Sequence, residues 1–382
     1  MESKYKRNIH EMVAKANAEA EHSNIFMSIC IPSHNRAPLV EKLVKQCLSL
    51  IPDEDVEVIV GNHGSEDDTE DRLLTIKDSR FHYYYFDEEE NEEFLVNMLA
   101  LGHGKWCMEL TDKDEFVQLD WPTIRKTLEN AGDAVMFKGA YYTGEGTPLV
   151  LPPPKVYEGG YAETYSFLMA TCSYATNTIV RREEYVKAMD FPYNRKWQIC
   201  QAYSHVCRFA VLMGYGSLAP MAGFVLKRQF ATESPEARKF YAGYGFNKFA
   251  PKQDPYWTPF SRLEQHTEWM KLFCPMIKSP EEKIQMVGGL MFGLLNIIVD
   301  YYEKIHSPNI PGIHFHRPET LERDHHRPSA DWRNFFWHAY LRFISEMSQV
   351  VPGLSALNVP TLVQVANIYQ RLNEKITAVE KS

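Results

Sequence analysis

The sequence lacks the features that would commit it to a disulfide framework, a zinc site, export or nucleic acid. Its seven cysteines, Cys30, Cys47, Cys107, Cys172, Cys200, Cys207 and Cys274, are odd in number, scattered, and include no CxxC pair. That pattern excludes the usual zinc spacing and points to free thiols in a reducing compartment. The first 23 residues, MESKYKRNIHEMVAKANAEAEHS, carry no apolar core of the kind an export signal needs. A cytoplasmic protein is the expectation. Positive charge is not in excess either, since 41 Lys and Arg stand against 50 Asp and Glu. Binding a phosphate backbone needs a concentrated basic surface, so nucleic acid is not an expected partner. The most apolar window, Ile284 to Tyr302, has about the length of a membrane span, but Gln285, Asn296 and Asp300 interrupt it. A buried helix is expected there.

What is present reads as an ordinary globular protein too long for one usual domain, at 382 residues and 45% hydrophobic. Up to about residue 230, short β-rich runs alternate with helical stretches. FMSICIP (26–32), VEVIVG (56–61), FHYYYF (81–86), WCMEL (106–110) and AVMFKGAYY (134–142) are rich in β-branched and aromatic residues and predict strands. Between them, Leu39 to Leu50 predicts a helix, as do 185–189 and 197–213 further on; YGSLAPMAGFVLKRQF predicts another strand. Such alternation implies a mostly parallel sheet covered on both faces. The Gly- and Pro-rich GEGTPLVLPPPKVYEGG is expected to be a loop. From about residue 260 the pattern is nearly all helix. The expected fold class is α/β with a helical C-terminal extension, divided as an N-terminal helical segment 1–23, an α/β domain 24–258 and a helical domain 259–382.

In an open parallel sheet, ligands bind beyond the carboxyl ends of the strands. Three loops leave such ends: PSHNRAP, NHGSEDD and TDKDEF. The first leads to a helix starting near Pro38, and its backbone amides could meet a phosphate or serve only as a connection. The second offers Gly64 for a turn and Ser65 as N-cap of a helix carrying Asp67 and Asp68. In the third, Asp112 and Asp114 alternate where an apolar strand leaves the core. Two carboxylates so placed can share Mg2+ or Mn2+ with substrate phosphates, or form a charged turn.

In order and spacing, SICIPSHNR, GNHGSEDD, and ALGHGKW followed by LTDKD resemble the signature of family 2 glycosyltransferases with the GT-A fold. They are most similar to the abequosyltransferase-like branch acting on bacterial surface polysaccharides. The resemblance covers about residues 24–228. It implies that Pro32, His34, Asn35 and Arg36 lie beside the nucleotide of a sugar donor. Asn62 falls where the family has a base-recognising aspartate, Asp112 faces nucleoside and metal, and Asp114 holds Mn2+ or Mg2+ against the diphosphate. Asn62 both donates and accepts, which admits cytosine as the base. Lys113, in a run where relatives often carry an acid, becomes a phosphate contact.

The family's inverting members use an Asp or Glu base about 90 residues beyond the DxD, yet 191–210 contains no acid. His205, whose residue type titrates near neutrality, and Asp190 are the candidates. Lys227 and Arg228 close a predicted strand and could screen a diphosphate. His314, His316, His325 and His326 match no zinc spacing, and Tyr244, Phe246, Phe249, Tyr256 and Trp257 could stack on sugar rings. The reading is a cytoplasmic, metal-dependent glycosyltransferase at the inner face of the membrane, acting in capsule, O-antigen or similar synthesis. It takes a UDP-, CDP-, GDP- or dTDP-sugar and a glycan or lipid-linked glycan acceptor. Peripheral membrane contact and homo-oligomerisation stay open. The alternatives are a non-catalytic nucleotide- or sugar-binding scaffold and a nucleotidyltransferase.

Overall fold

The computed structural model describes residues 6–86, 91–171, 175–191, 197, 199, 203–228, 258–307, 318–351, 354 and 359–381. Two compact units emerge: Met1–Tyr193 with Tyr203–Ser234, and Asn194–Ala202 with Pro235–Ser382. The aromatic run at 244–257 and His314 and His316 lie outside the described residues.

The first unit contains a sheet of ten strands: β1 (Lys6–Arg7), β2 (Met27–Ser33), β3 (Val56–His63), β4 (Phe81–Phe86), β5 (Trp106–Glu109), β6 (Asp114–Leu119), β7 (Ala134–Tyr142), β8 (Pro148–Val150), β9 (Thr178–Arg181) and β10 (Ser217–Arg228). Their order is β1-β4-β3-β2-β5-β9-β7-β10-β6, with β8 beside β7. The block from β1 to β5 is parallel. Antiparallel pairs join β5 to β9, β9 to β7 and β10 to β6, while β7 and β10 run parallel. Every residue of β2 and β3 is buried, as continuous apolar strands covered on both faces should be.

The helices of this unit are α1 (Ile9–Ala20), α2 (Ala37–Leu50), α3 (Thr69–Leu73), α4 (Asn91–Ala100), α5 (Trp121–Glu129), α6 (Ala162–Thr171), α7 (Arg182–Met189) and α8 (Ser204–Leu212). In α2, Ala37, Val40, Leu43, Val44 and Cys47 form the buried stripe that a 3.6-residue period predicts. The mostly parallel α/β class is as expected. The strands β1, β6, β8 and β9 were not: β1 is two residues long, DEFVQL opens on two acids and lies at the sheet edge with one neighbour among the described residues, PLV of β8 pairs with β7 from within the Gly- and Pro-rich stretch expected to be a loop, and TIVR is four residues long. None presents the long apolar run that marks a covered strand.

One consequence of the order matters for the loops. β5 and β6 stand four places apart in the sheet, yet only residues 110–113 connect them. The sheet must therefore curl until the start of β6 meets the end of β5, an accumulation of ordinary strand twist.

The second unit is helical, with α9 (Pro259–Phe273), α10 (Pro280–His306), α11 (Pro318–His325), α12 (Ser329–Val350) and α13 (Val359–Glu380). By length and composition α10 could cross a membrane, and half of its most apolar stretch is buried inside the protein. Its face bearing Val287, Leu294, Leu295 and Ile298 packs against α9, α12 and α13. Gln285, Gly289, Gly293 and Asp300 lie on its exposed side.

At the amino ends of β2 and β3, Glu57 is almost wholly buried and accepts hydrogen bonds from Ser28 Oγ and from the backbone N–H of His103, the latter at 2.8 Å. The His103 ring lies 3.1 Å from Glu57 and 3.3 Å from Glu19, and His82 stands 3.6 Å from Glu57. Burial alone would raise the Glu57 carboxyl, but hydrogen bonds from His103 and Ser28 outweigh it and hold the group below its usual 4.5. The same pairing lifts His103 above its usual 6.5. A raised histidine adds stability that is complete below its unfolded value and is lost as pH rises through the folded one. Glu57→Gln should therefore cost about 1–3 kcal/mol and shrink the stability difference between about pH 6 and about pH 8. Urea unfolding at both pH values measures this, and an unchanged difference would exclude the cluster as its source.

Candidate active site

The parallel register sets the ends of β2 and β3 side by side, with Ser33 opposite Asn62, and Leu110 continues the ladder by donating to Cys30 at 3.2 Å. The three loops consequently leave the sheet together. Where β2 passes into α2, the backbone N–H groups of residues 34–37 have lost their strand partners and have no helical ones yet. Side chains of the other two loops take them. His34 donates to Asp112 at 3.2 Å, Asn35 to Ser65 Oγ at 2.8 Å, and Ala37 to Asp67 at 3.1 Å. The amides that a phosphate could have used are thus occupied at three of these positions.

Asn35 holds a left-handed backbone, φ 50°, a conformation asparagine tolerates better than most residues. Its Oδ1 accepts from the N–H groups of Glu66 at 2.7 Å and Asp67 at 3.3 Å, and its amide meets His34 Nε2 at 3.0 Å. His34 Nδ1 contacts the His63 carbonyl oxygen, so Nδ1 carries the proton and Nε2 accepts. The His63 ring stacks on Phe94 of α4 at 4.4 Å. Ser65 is therefore not the N-cap of α3. That place falls to Asp68, while Ser65 ties the second loop to the first.

The two aspartates of the third loop have different fates. Asp112, 2% exposed, receives Arg36 Nη1 on both oxygens, at 2.8 and 3.0 Å. Asp114, 0% exposed, opens β6 and accepts from the Thr111 N–H at 2.6 Å and from the Thr176 hydroxyl. Burial raises the Asp114 carboxyl, against the lowering effect of Thr176 and Thr111. Directly across the β6–β10 ladder stands Arg228, and the Tyr141 phenol lies against both Arg228 and Asp114. Lys227 is drawn to Glu115, 3.6 Å away, which also binds Lys42 at 2.8 Å. Burial, then Arg228 and Arg36, lower Lys113 to about 8, which leaves it mostly protonated at neutral pH. Behind the turn, burial pushes Glu109 up to about 8, so it is mostly a neutral acid.

These residues fit a divalent ion poorly. A hard dication seeks several oxygen ligands at once, whereas Asp112 is engaged by a guanidinium and Asp114 is turned into the protein. Three cations, Arg36, Lys113 and Arg228, surround the two carboxylates. Among the described residues, no group of three or more His, Cys, Asp or Glu could hold a metal ion.

The model of the family described as Glycosyl transferase family 2 matches residues 28–179, the segment that supplies all three loops. Residues 28–179 are thus similar to the family 2 glycosyltransferase domain. No curated protein matches the chain. Among solved structures, S. aureus TarS 1–349 in complex with UDP-GlcNAc is similar at 12% identity and a TM-score of 0.48, over 92% of each chain. Glucosyl-3-phosphoglycerate synthase from Mycobacterium tuberculosis in complex with Mg2+ and UDP is similar at 17% identity and a TM-score of 0.37, over 59% of this chain and 76% of that one.

His34, Asn35, Arg36, Asp112, Lys113 and Arg228 lie together where the loops leave the sheet, and Pro32 is buried within β2 just before them. Asn62 does not present its amide there. It is 1% exposed, donates to the Tyr83 hydroxyl at 2.8 Å and accepts from the Ser65 N–H at 3.0 Å, so the argument for cytosine loses its basis. Asp190 is an exposed residue capping α7. His205 lies buried in the first turn of α8, with the Tyr203 and Phe209 rings edge-on to it. Sequence reasoning missed Ser65 and Asp67 as ties to the first loop, and Thr176 and Tyr141 as partners of Asp114. The polar spacing of SEDD was the available signal for the first pair; for the second none existed, because strand pairing alone brings them close.

Asn35→Ala removes the two contacts of Oδ1 while keeping the left-handed backbone. It should cost about 1–3 kcal/mol in denaturant unfolding. Asn35→Gly should cost less, because glycine adopts that conformation freely; equal losses would show that backbone shape is not what asparagine supplies.

Proposed function

We propose that this protein is a nucleotide-sugar glycosyltransferase that inverts the donor's anomeric centre and builds a glycan of a bacterial surface polysaccharide, working in the cytoplasm at the inner face of the membrane. The observation that carries the reading is that three loops of the family's motif pattern are hydrogen-bonded to one another at the carboxyl ends of parallel strands. That is where an open α/β sheet receives a nucleotide. The likeness of SICIPSHNR and LTDKD to the abequosyltransferase-like branch supports a surface glycan as acceptor. The helical unit is the candidate for holding a lipid-linked acceptor or a second subunit.

In the proposed reaction the acceptor oxygen attacks the anomeric carbon from the face opposite the diphosphate. The bond from that carbon to the diphosphate oxygen breaks as the new glycosidic bond forms. The nucleoside diphosphate leaves with the electron pair, and a base takes the hydroxyl proton. His205 is our candidate for that base. The helix that carries it, α8, packs against α4, whose Phe94 stacks on His63 at the end of β3, where the second loop begins. Asp190, solvated at a helix end, has no such link.

The test is incubation of the full chain with UDP-, GDP-, CDP- and dTDP-sugars and glycan acceptors, with proton NMR of the product's anomeric signal. Transfer with inversion is expected from one donor class. Retention would overturn the mechanism, and release of pyrophosphate from a nucleoside triphosphate would favour a nucleotidyltransferase. His205→Ala should lower kcat at least about hundredfold, with nucleotide affinity little changed; a smaller loss than with Asp190→Asn would move the base to Asp190.

A further inference from the structure

The metal carboxylates that the family resemblance implies are committed elsewhere, and the first loop's amides at 34, 35 and 37 are taken. A diphosphate arriving at these loops meets side chains in place of those three amides. Three cationic side chains are gathered at the third loop. Arg36 is aimed by Asp112, 2.8 Å away. Arg228 sits opposite Asp114 in the ladder and against Tyr141. Lys113 occupies the turn between the two aspartates, with its ammonium in the field of both arginines and both carboxylates. Three positive groups against two negative ones leave the turn with a net positive charge. A cluster of that sign repels a free dication and attracts a diphosphate.

Resting on the nucleotide-sugar reading above, we propose that Lys113, with Arg36 and Arg228, binds the donor diphosphate directly and stabilises the leaving nucleoside diphosphate, so that this domain needs no divalent ion. The chemistry is the same as that of a bound cation, because what the transition state requires is positive charge held where negative charge develops. Ammonium and guanidinium groups supply it through charge-assisted hydrogen bonds to phosphate oxygens. Asp112 then acts as a positioning residue for Arg36. Asp114, through Tyr141, holds the end of β10 that carries Arg228.

Calorimetric titration of the full chain with UDP, CDP, GDP and dTDP, each in excess EDTA and again in Mn2+, tests this without any variant. The best-binding nucleoside diphosphate should keep its affinity in EDTA to within about threefold of that in Mn2+, a difference well under 1 kcal/mol. Lys113→Ala should weaken that diphosphate by about tenfold or more in EDTA, the range for a hydrogen bond to a charged group, and leave the corresponding nucleoside unaffected. Lys113→Asp should make diphosphate binding depend on Mn2+. Binding by the native chain that vanishes in EDTA and returns with Mn2+ would overturn the proposal and leave the donor site standing. If no nucleoside diphosphate binds under either condition, the nucleotide-sugar reading falls and takes this proposal with it.

Discussion

The candidate site depends on how the backbone N–H groups between β2 and α2 are satisfied. A strand that becomes a helix leaves several donors without a backbone partner, and burying them unpaired would cost about 1–3 kcal/mol each. Here Asp112, Ser65 and Asp67 accept from His34, Asn35 and Ala37. These acceptors lie 78, 30 and 30 residues away in the chain. One local requirement thus locks three loops into a single rigid edge. The same arrangement occupies the backbone amides at 34, 35 and 37 with protein acceptors.

The curl of the sheet governs the second half of the site. In an extended strand, residues two apart share a face, and Asp112 and Asp114 would point the same way. A tight turn, closed by the Asp114 N–H bonding to the Thr111 carbonyl oxygen at 2.9 Å, separates them instead. Asp112 stays with the loops and Arg36. Asp114 starts β6, faces inward, and meets residues that β7 and the approach to β9 bring from elsewhere. Lys113, between them, lies in the field of Arg36 and Arg228, which together with burial lower its ammonium.

Much of the fold was legible in the chain. The strands β2, β3, β4, β5 and β7 and the helix α2 coincide with apolar runs or helical stripes, because burial on two faces or one leaves a periodic record. The edge strand β6 and the short β1, β8 and β9 left no such record and were missed. Within the site, the three loops and their order could be read, since each is a polar interruption after an apolar strand. Their mutual bonds could not. Asn62 illustrates the limit: its type suggests base recognition, yet Tyr83 and the Ser65 N–H engage both ends of its amide.

By itself the sequence determined the α/β class, the loops that leave the sheet together and the family resemblance, because periodicity and motif order are properties of the linear chain. Tertiary structure alone decided which side chain answers which donor, which aspartate faces inward and which cations share a turn. Those outcomes depend on strand order and on the curl that brings β6 back to β5. Both arise from long-range pairing and accumulated twist, which have no local signature in the residues that end up in contact.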